Sequence, residues 1–380
     1  MKTANAAFLA WSFAVVFSDY QEVARKPPDL LWRKETIQDL SGTRNLGSPK
    51  LIESSRAGVV FLDGRRIMVY EIINTGQLSS RKSPEVSSAF SVHSTVLDTS
   101  SGAVLFGRDW GTRAHASSIH VSSGGLILVT GPVVRFLTKD LTEIKQLPVP
   151  HPDPYEGWEI RTSPSGKSVL LNHYIRNRRR GLNFSEFELL DGGTFERKYA
   201  WTQSPALNGD LYSISDSAIA RKENQHNPEQ LQLSEFGITR WRNVWVLPEK
   251  GCLGRATLVS DDGFVYGCKD LWLVSNDGKI LMRDAFQKGE GVGIDHKFAL
   301  AQDGKAVALS LENIKDPWDT GGHLKALHIA VYDLSLRKRV LTVDVNPMPK
   351  NDFDFALSPD GSKLAVLNDR DVSVYIVPSD

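Results

Sequence analysis

A chain of 380 residues with 45 basic and 45 acidic side chains carries no net charge to gather a polyphosphate, which argues against nucleic acid and against wholesale attraction to an anionic membrane. Hydrophobic residues make up 41% and charged ones 24%, the balance of an ordinary globular domain, and nine Trp and sixteen Phe supply large side chains for a core. Two cysteines are too few for a disulfide framework or a metal-binding set.

At the N-terminus Lys2 precedes an apolar stretch over residues 6–17, too short to span a bilayer as an ordinary transmembrane helix. Ser18 follows, with Val16 two positions before it, and the sequence turns polar at Asp19, the pattern of a secretory signal peptide and its cleavage site. The expected layout is a signal peptide over 1–18, a linker over 19–29 and one domain over 30–380. The mature protein is then exported, periplasmic or extracellular, with no membrane span left after signal removal.

From residue 59 onward one unit recurs: a short apolar strand, a polar Asp- or Gly-containing turn, and a second apolar strand. In chain order the copies are 59–69 (VVFLDGRRIMV), 119–129 (IHVSSGGLILV), 160–171 (IRTSPSGKSVLL), 211–220 (LYSISDSAIA), 256–266 (ATLVSDDGFVY), 298–309 (FALAQDGKAVAL) and 353–366 (FDFALSPDGSKLAV). Gly and Asp suit these turns because a tight hairpin needs positive φ, which Gly adopts freely and Asp tolerates. A third strand and another turn follow each pair, as in 90–110, 270–286, 328–343 and 372–380. The unit is therefore four antiparallel strands, A to D, with turns roughly 41 to 61 residues apart. The last copy lacks its outermost strand, and residues 30–40 (LLWRKETIQDL) are the natural donor, stapling the ends together and removing open sheet edges.

The run SPDGSKLAV followed by VSVYIV resembles the WD40-like and PD40-type propeller repeats of many bacterial proteins, and the likeness extends over residues 30–380. It implies an all-β fold, a seven-bladed β-propeller of four-stranded antiparallel blades closed by an N-terminal strand that completes the last blade. Such a repeat specifies a fold and leaves function open. Trp-Asp and Gly-His pairs are missing from the blade positions where eukaryotic WD40 repeats carry them, so that subfamily's hydrogen-bond network does not transfer.

In such a ring the D–A and B–C connections share one face, and the A–B and C–D turns share the other. The A–B turns are tight, whereas the B–C connections at 74–89, 175–183, 223–230 and 311–324 are long, which places binding on the first face. One of these loops carries Arg176, Arg178, Arg179 and Arg180, either a site for an anionic group or for a partner's carboxylates, or a solvated loop tip. Another carries Trp318 between Asp316 and Asp319, an anchor or a local lid. Aligning the A strands on their turns puts Glu159, Asp210, Lys297 and Asp354 at one equivalent position near the mouth of the central channel. Their mixed signs suggest a salt-bridged lining around water; three carboxylates also leave a divalent cation open, and no other cofactor is expected. Cys252 precedes strand A of the fifth unit and Cys268 ends its strand B, so the hairpin brings both to one rim, as a disulfide or as two small buried residues.

Gly-x-Ser-x-Gly, His-Glu-x-x-His, P-loop and dinucleotide motifs are absent, and His93, His120 and His328 fall within strands, where a hydrogen-bonded structural role is expected. The leading expectation is a non-enzymatic, monomeric, exported module that binds a protein or carbohydrate partner through the D–A and B–C face. Its alternative is a propeller hydrolase or lactonase-like enzyme with a metal at the channel mouth.

Overall fold

The computed structural model describes residues 28–35, 56–74, 90–112, 117–130, 133–148, 157–177, 182–203, 211–223, 230–238, 240–248, 255–286, 290–292, 297–314, 324–350 and 352–379. These form twenty-nine strands in seven antiparallel sheets, and within each sheet spatial order follows chain order except where the ring closes. Blade 1 spans 56–112, blade 2 117–148, blade 3 157–203, blade 4 211–246, blade 5 255–285, blade 6 290–344, and blade 7 combines 353–376 with 30–35. Among the described residues no helix is long and apolar enough to cross a membrane.

Each blade is packed on both faces, so the buried stretch of a second strand has no solvent side, and in blades 5 and 7 it is buried throughout. Every residue of Gly263–Gly267 in blade 5 is buried, and Leu364 to Leu367 in blade 7 likewise. The outermost strands are instead largely exposed, as in Glu143–Pro148 and Arg197–Gln203. Seven hydrophobic clusters occupy the seven seams between neighbouring blades, from blades 1 and 2 round to blades 7 and 1. A closed ring has no free sheet face left to cover.

The seventh blade is completed by β1 (Leu30–Glu35), antiparallel to β29 (Asp371–Ile376), with Lys34 opposite Val372 and Arg33 donating to Asp371 at 2.9 Å. Trp32 reaches onward into blade 1, its indole N–H donating to Thr99 O at 2.9 Å. It lies against Gly102, where φ is 70° and a Cβ would stand 2.9 Å from the ring, so conformation and space both demand glycine. Residues 36–40 of the expected donor lie outside the described residues.

On the turn face the blades are bonded to one another. Ser123 N donates to Gly166 O at 2.9 Å, Ser165 Oγ to Asp216 at 2.7 Å, Ser217 Oγ to Asp261 at 2.8 Å, and Gln302 N to Pro359 O at 2.8 Å. Lys363 Nζ to Thr99 Oγ1, at 3.0 Å, and the Arg66–Asp140 ion pair carry the chain of contacts across blades 7, 1 and 2. Blades 5 and 6 are joined by Asp284, which accepts from Tyr332 OH and, at 2.8 Å, from Arg339 Nη2.

Two elements differ from the sequence expectation. Blade 3's middle strands, β11 (Ser168–Asn177) and β12 (Leu182–Asp191), overrun the expected 175–183 connection: Arg176 stands in the ladder opposite Asn183, because the aromatic and β-branched residues Tyr174, Ile175 and Phe184 extend the hairpin. Blade 6's inner strand is broken into β22 (Glu290–Val292) and β23 (Phe298–Leu300), both paired with β24 (Ala306–Ile314). Val292 faces Leu311 and Phe298 faces Leu309, so β24 passes from one inner partner to the other within two residues.

Candidate functional site: the channel and its mouth

The inner strands enclose a channel of about 270 Å³ to which every blade contributes: Val60, Val121, Thr162, Ser213, Thr257, Phe298 and Ala356 from blades 1 to 7 in turn. Its hydroxyls come from blades 3 to 5, blade 6 adds Lys297 and Gln302, and blades 7, 1 and 2 present carbon.

Lys297 and Asp354 meet at the mouth. Lys297 Nζ donates to Asp354 Oδ1 at 2.6 Å, while Asp354 Oδ2 accepts the backbone N–H of Val59 at 2.9 Å. Two residues earlier, Asp352 Oδ1 accepts Ala57 N at 3.0 Å. An innermost strand has no neighbour on its channel side, so its outward N–H groups need other acceptors. Blade 7 supplies two carboxylates to blade 1, and Ser213 Oγ does the same for Leu258 N of blade 5 at 2.7 Å. Asp354 thus links blades 6, 7 and 1. Tyr70, which covers Gly58, is pushed above its ordinary range by burial and secondly by the charge of Asp354.

Glu159 occupies the ladder position in blade 3 that Asp354 occupies in blade 7, opposite Asn172 and Leu367 respectively. It is ion-paired with Arg161, two residues on. His120, on blade 2's inner strand, is held down at about 4 by burial and then by Arg161. Asp210 lies outside the described residues. Among the described residues no three His, Cys, Asp or Glu side chains converge as a metal set, and both described carboxylates of the mouth are already faced by a cationic side chain.

The loop-face candidates are described only in part. The backbone of Arg176 is in β11; Arg178, Arg179, Arg180 and Trp318 lie outside the described residues, as does Cys252. Cys268, 8% exposed, follows β19 (Gly263–Gly267) and belongs to the core between blades 4 and 5. Sequence alignment of the A strands located Asp354 and Lys297 but passed over Asp352 and Ser213. The usable signal for Asp352 was its alternation with Asp354, which puts both side chains on one side of the strand.

No protein-family model and no curated protein matches the chain. Its likenesses are to solved propellers. The C-terminal WD40 domain of Sif2 is 11% identical, covering 93% of this chain and 99% of that one, with a TM-score of 0.46. The Pan2 WD40 domain of Neurospora crassa is 10% identical over 86% and 90%, with a TM-score of 0.49. TolB from Acinetobacter baumannii is 11% identical over 82% and 80%, with a TM-score of 0.38. At such identities the likeness concerns fold alone, and the blade count rests on the strand pairing itself.

Proposed function

We propose that this propeller is an exported binding module that engages a protein or carbohydrate partner through the face formed by the D–A and B–C connections. The observation that supports this reading is the inequality of the two faces. Groups on the turn face are committed to bonds between blades, from Ser123–Gly166 to Lys363–Thr99. The connections at 75–89, 224–229 and 315–323 exceed what a hairpin needs for closure, and surplus loop length on a rigid scaffold is where recognition groups usually sit. In a chain without net charge, the basic run Arg178 to Arg180 offers local selection of carboxylates or other anionic groups, and Trp318 an apolar anchor.

The test is photo-crosslinking in cells from single positions on the two faces, Arg178 and Trp318 against Lys139 and Ser335. Adducts from the loop face alone support the reading; adducts from the turn face alone, or from neither, overturn it. Export is tested separately, by fusing residues 1–29 to a reporter that becomes active only outside the cytoplasm. In an oxidising compartment Cys252 and Cys268 are proposed to bridge, so labelling of the native exported protein yields no thiol, and two labelled thiols reject the bridge.

A further inference from the structure

We infer that Ser91, His93 and Asp109, on the outer half of blade 1, form a serine-nucleophile site for small activated acyl esters. The inference stands apart from the loop-face reading, and either can fail alone. Ser91 and His93 lie two residues apart on β4 (Phe90–Asp98) and so project from the same side of the strand. His93 is directly opposite Asp109 on β5 (Val104–Thr112). Ser91 Oγ is 2.9 Å from His93 Nε2, and His93 Nδ1 is 2.9 Å from Asp109 Oδ1. This is the order of nucleophile, base and orienting acid, with both links at hydrogen-bond length. A carboxylate on Nδ1 selects the tautomer that carries its proton there, leaving the Nε2 lone pair for the serine hydroxyl.

The register that makes the site is set by a bulge. Val96 faces Phe106 but Leu97 faces Val104, so one extra residue in β5 moves Asp109 into the place opposite His93 that Arg108 would otherwise take. Opposite Ser91 stands Gly111, where an added Cβ would meet nothing within 4 Å, so the ground beside the hydroxyl is open to a substrate.

Three other blades hold part of the arrangement; in blade 3 His173 is opposite Glu186 with Nδ1 3.5 Å from the carboxylate, but the residue two before it is Leu171. In blade 6 His328 is opposite Asp344 with Nδ1 2.7 Å from the carboxylate, but the residue two before it is Ala326. In blade 2 Ser118 Oγ is 3.1 Å from His120 Nε2, but the residue opposite His120 is Ile127. Among the described residues blade 1 alone joins both halves.

In the reaction, Ser91 Oγ bonds to the acyl carbon as its proton passes to His93 Nε2; the ester C–O bond then breaks and the departing alcohol takes that proton. Water completes the cycle: it adds to the acyl carbon, giving a proton to His93, and Ser91 Oγ leaves and takes the proton back. Asp109 is 69% exposed against 26% for His93, so its charge is screened and its removal matters less than removal of the base.

The experiment treats the purified full chain with a fluorophosphonate probe, maps the adduct by peptide mass spectrometry, and follows hydrolysis of p-nitrophenyl acetate. The expected result is one adduct, at Ser91, lost in Ser91→Ala, formed about a hundredfold more slowly in both His93→Ala and His93→Gln, and only several-fold more slowly in Asp109→Asn. Thermal melting of the same variants establishes that the fold is kept, and Ala326→Ser is expected to gain a second adduct at the blade 6 pair. No adduct above the heat-denatured protein, an adduct at another serine, or an unchanged rate in a folded His93 variant overturns the inference.

Discussion

The seam between blades 6 and 7 and the seam between blades 3 and 4 are built from the same strand arrangement and filled very differently. Among the described residues the first buries fifteen apolar side chains, from Ala299 to Val377, and is bonded at the mouth by Lys297–Asp354 and on the turn face by Gln302–Pro359. The second buries five, Leu170, Phe187, Leu189, Ile214 and Ile219. Rings take up the remainder: Phe187 stacks on Trp201 with centroids 4.9 Å apart, and the Arg221 guanidinium lies 4.2 Å over Trp241 while donating to Gln232. Asn172 Oδ1 and Ser185 Oγ are buried on this blade face without a hydrogen-bond partner. Unpaired buried polar atoms cost free energy that a carbon-filled seam does not spend. The difference teaches that a closed ring tolerates unequal seams, because closure holds every blade against two neighbours.

The severest way to break the comparison is to open the ring. Deleting residues 30–40 removes β1 from blade 7 and Trp32 from the seam between blades 7 and 1, and the whole domain is expected to lose its cooperative transition, followed by circular dichroism on heating; an unchanged midpoint refutes strand donation. Next, Phe355→Ala in the strong seam is expected to cost about 4 kcal/mol, and Leu170→Ala in the weak seam about 2 to 3 kcal/mol, since a poorly filled site collapses more easily around a truncation. Denaturant melts of both variants measure this, and equal losses would show that the seams do not differ.

Asp354→Asn keeps an acceptor for Val59 N but removes the charge facing Lys297, with an expected loss of about 1 kcal/mol in the same melts. Absent at neutral pH, and growing only as pH falls, is a destabilising effect at blades 2 and 3. His120 titrates at about 4 in the fold and near 6.5 when unfolded, so the unfolded chain binds the proton first as pH falls. Its contribution is fully present above about pH 6.5 and is lost progressively down to about 4. His120→Asn is expected to flatten the melting temperature against pH across that window, and an unchanged slope assigns the acid sensitivity elsewhere.

The sequence by itself determined the seven A–B hairpins, the four-strand unit and the strand that closes the ring. Alternation of side chains and the φ > 0 turn at Gly166, Gly304 or Gly361 are local properties, readable within a dozen residues. It also placed Lys297 and Asp354 at one level of the channel, because position along a strand counts directly from the turn. Tertiary structure alone decided that the two bond to each other, and that Asp352 and Asp354 accept from Ala57 and Val59, 295 residues away in the chain. Such pairs depend on which blades close the circle, which no local pattern encodes. It likewise decided the break in blade 6's inner strand, the placement of Arg176 in a ladder, and the meeting of His93 with Asp109. That last contact turns on one extra residue in β5, at Leu105, and a shift of one residue exchanges the two faces of a strand.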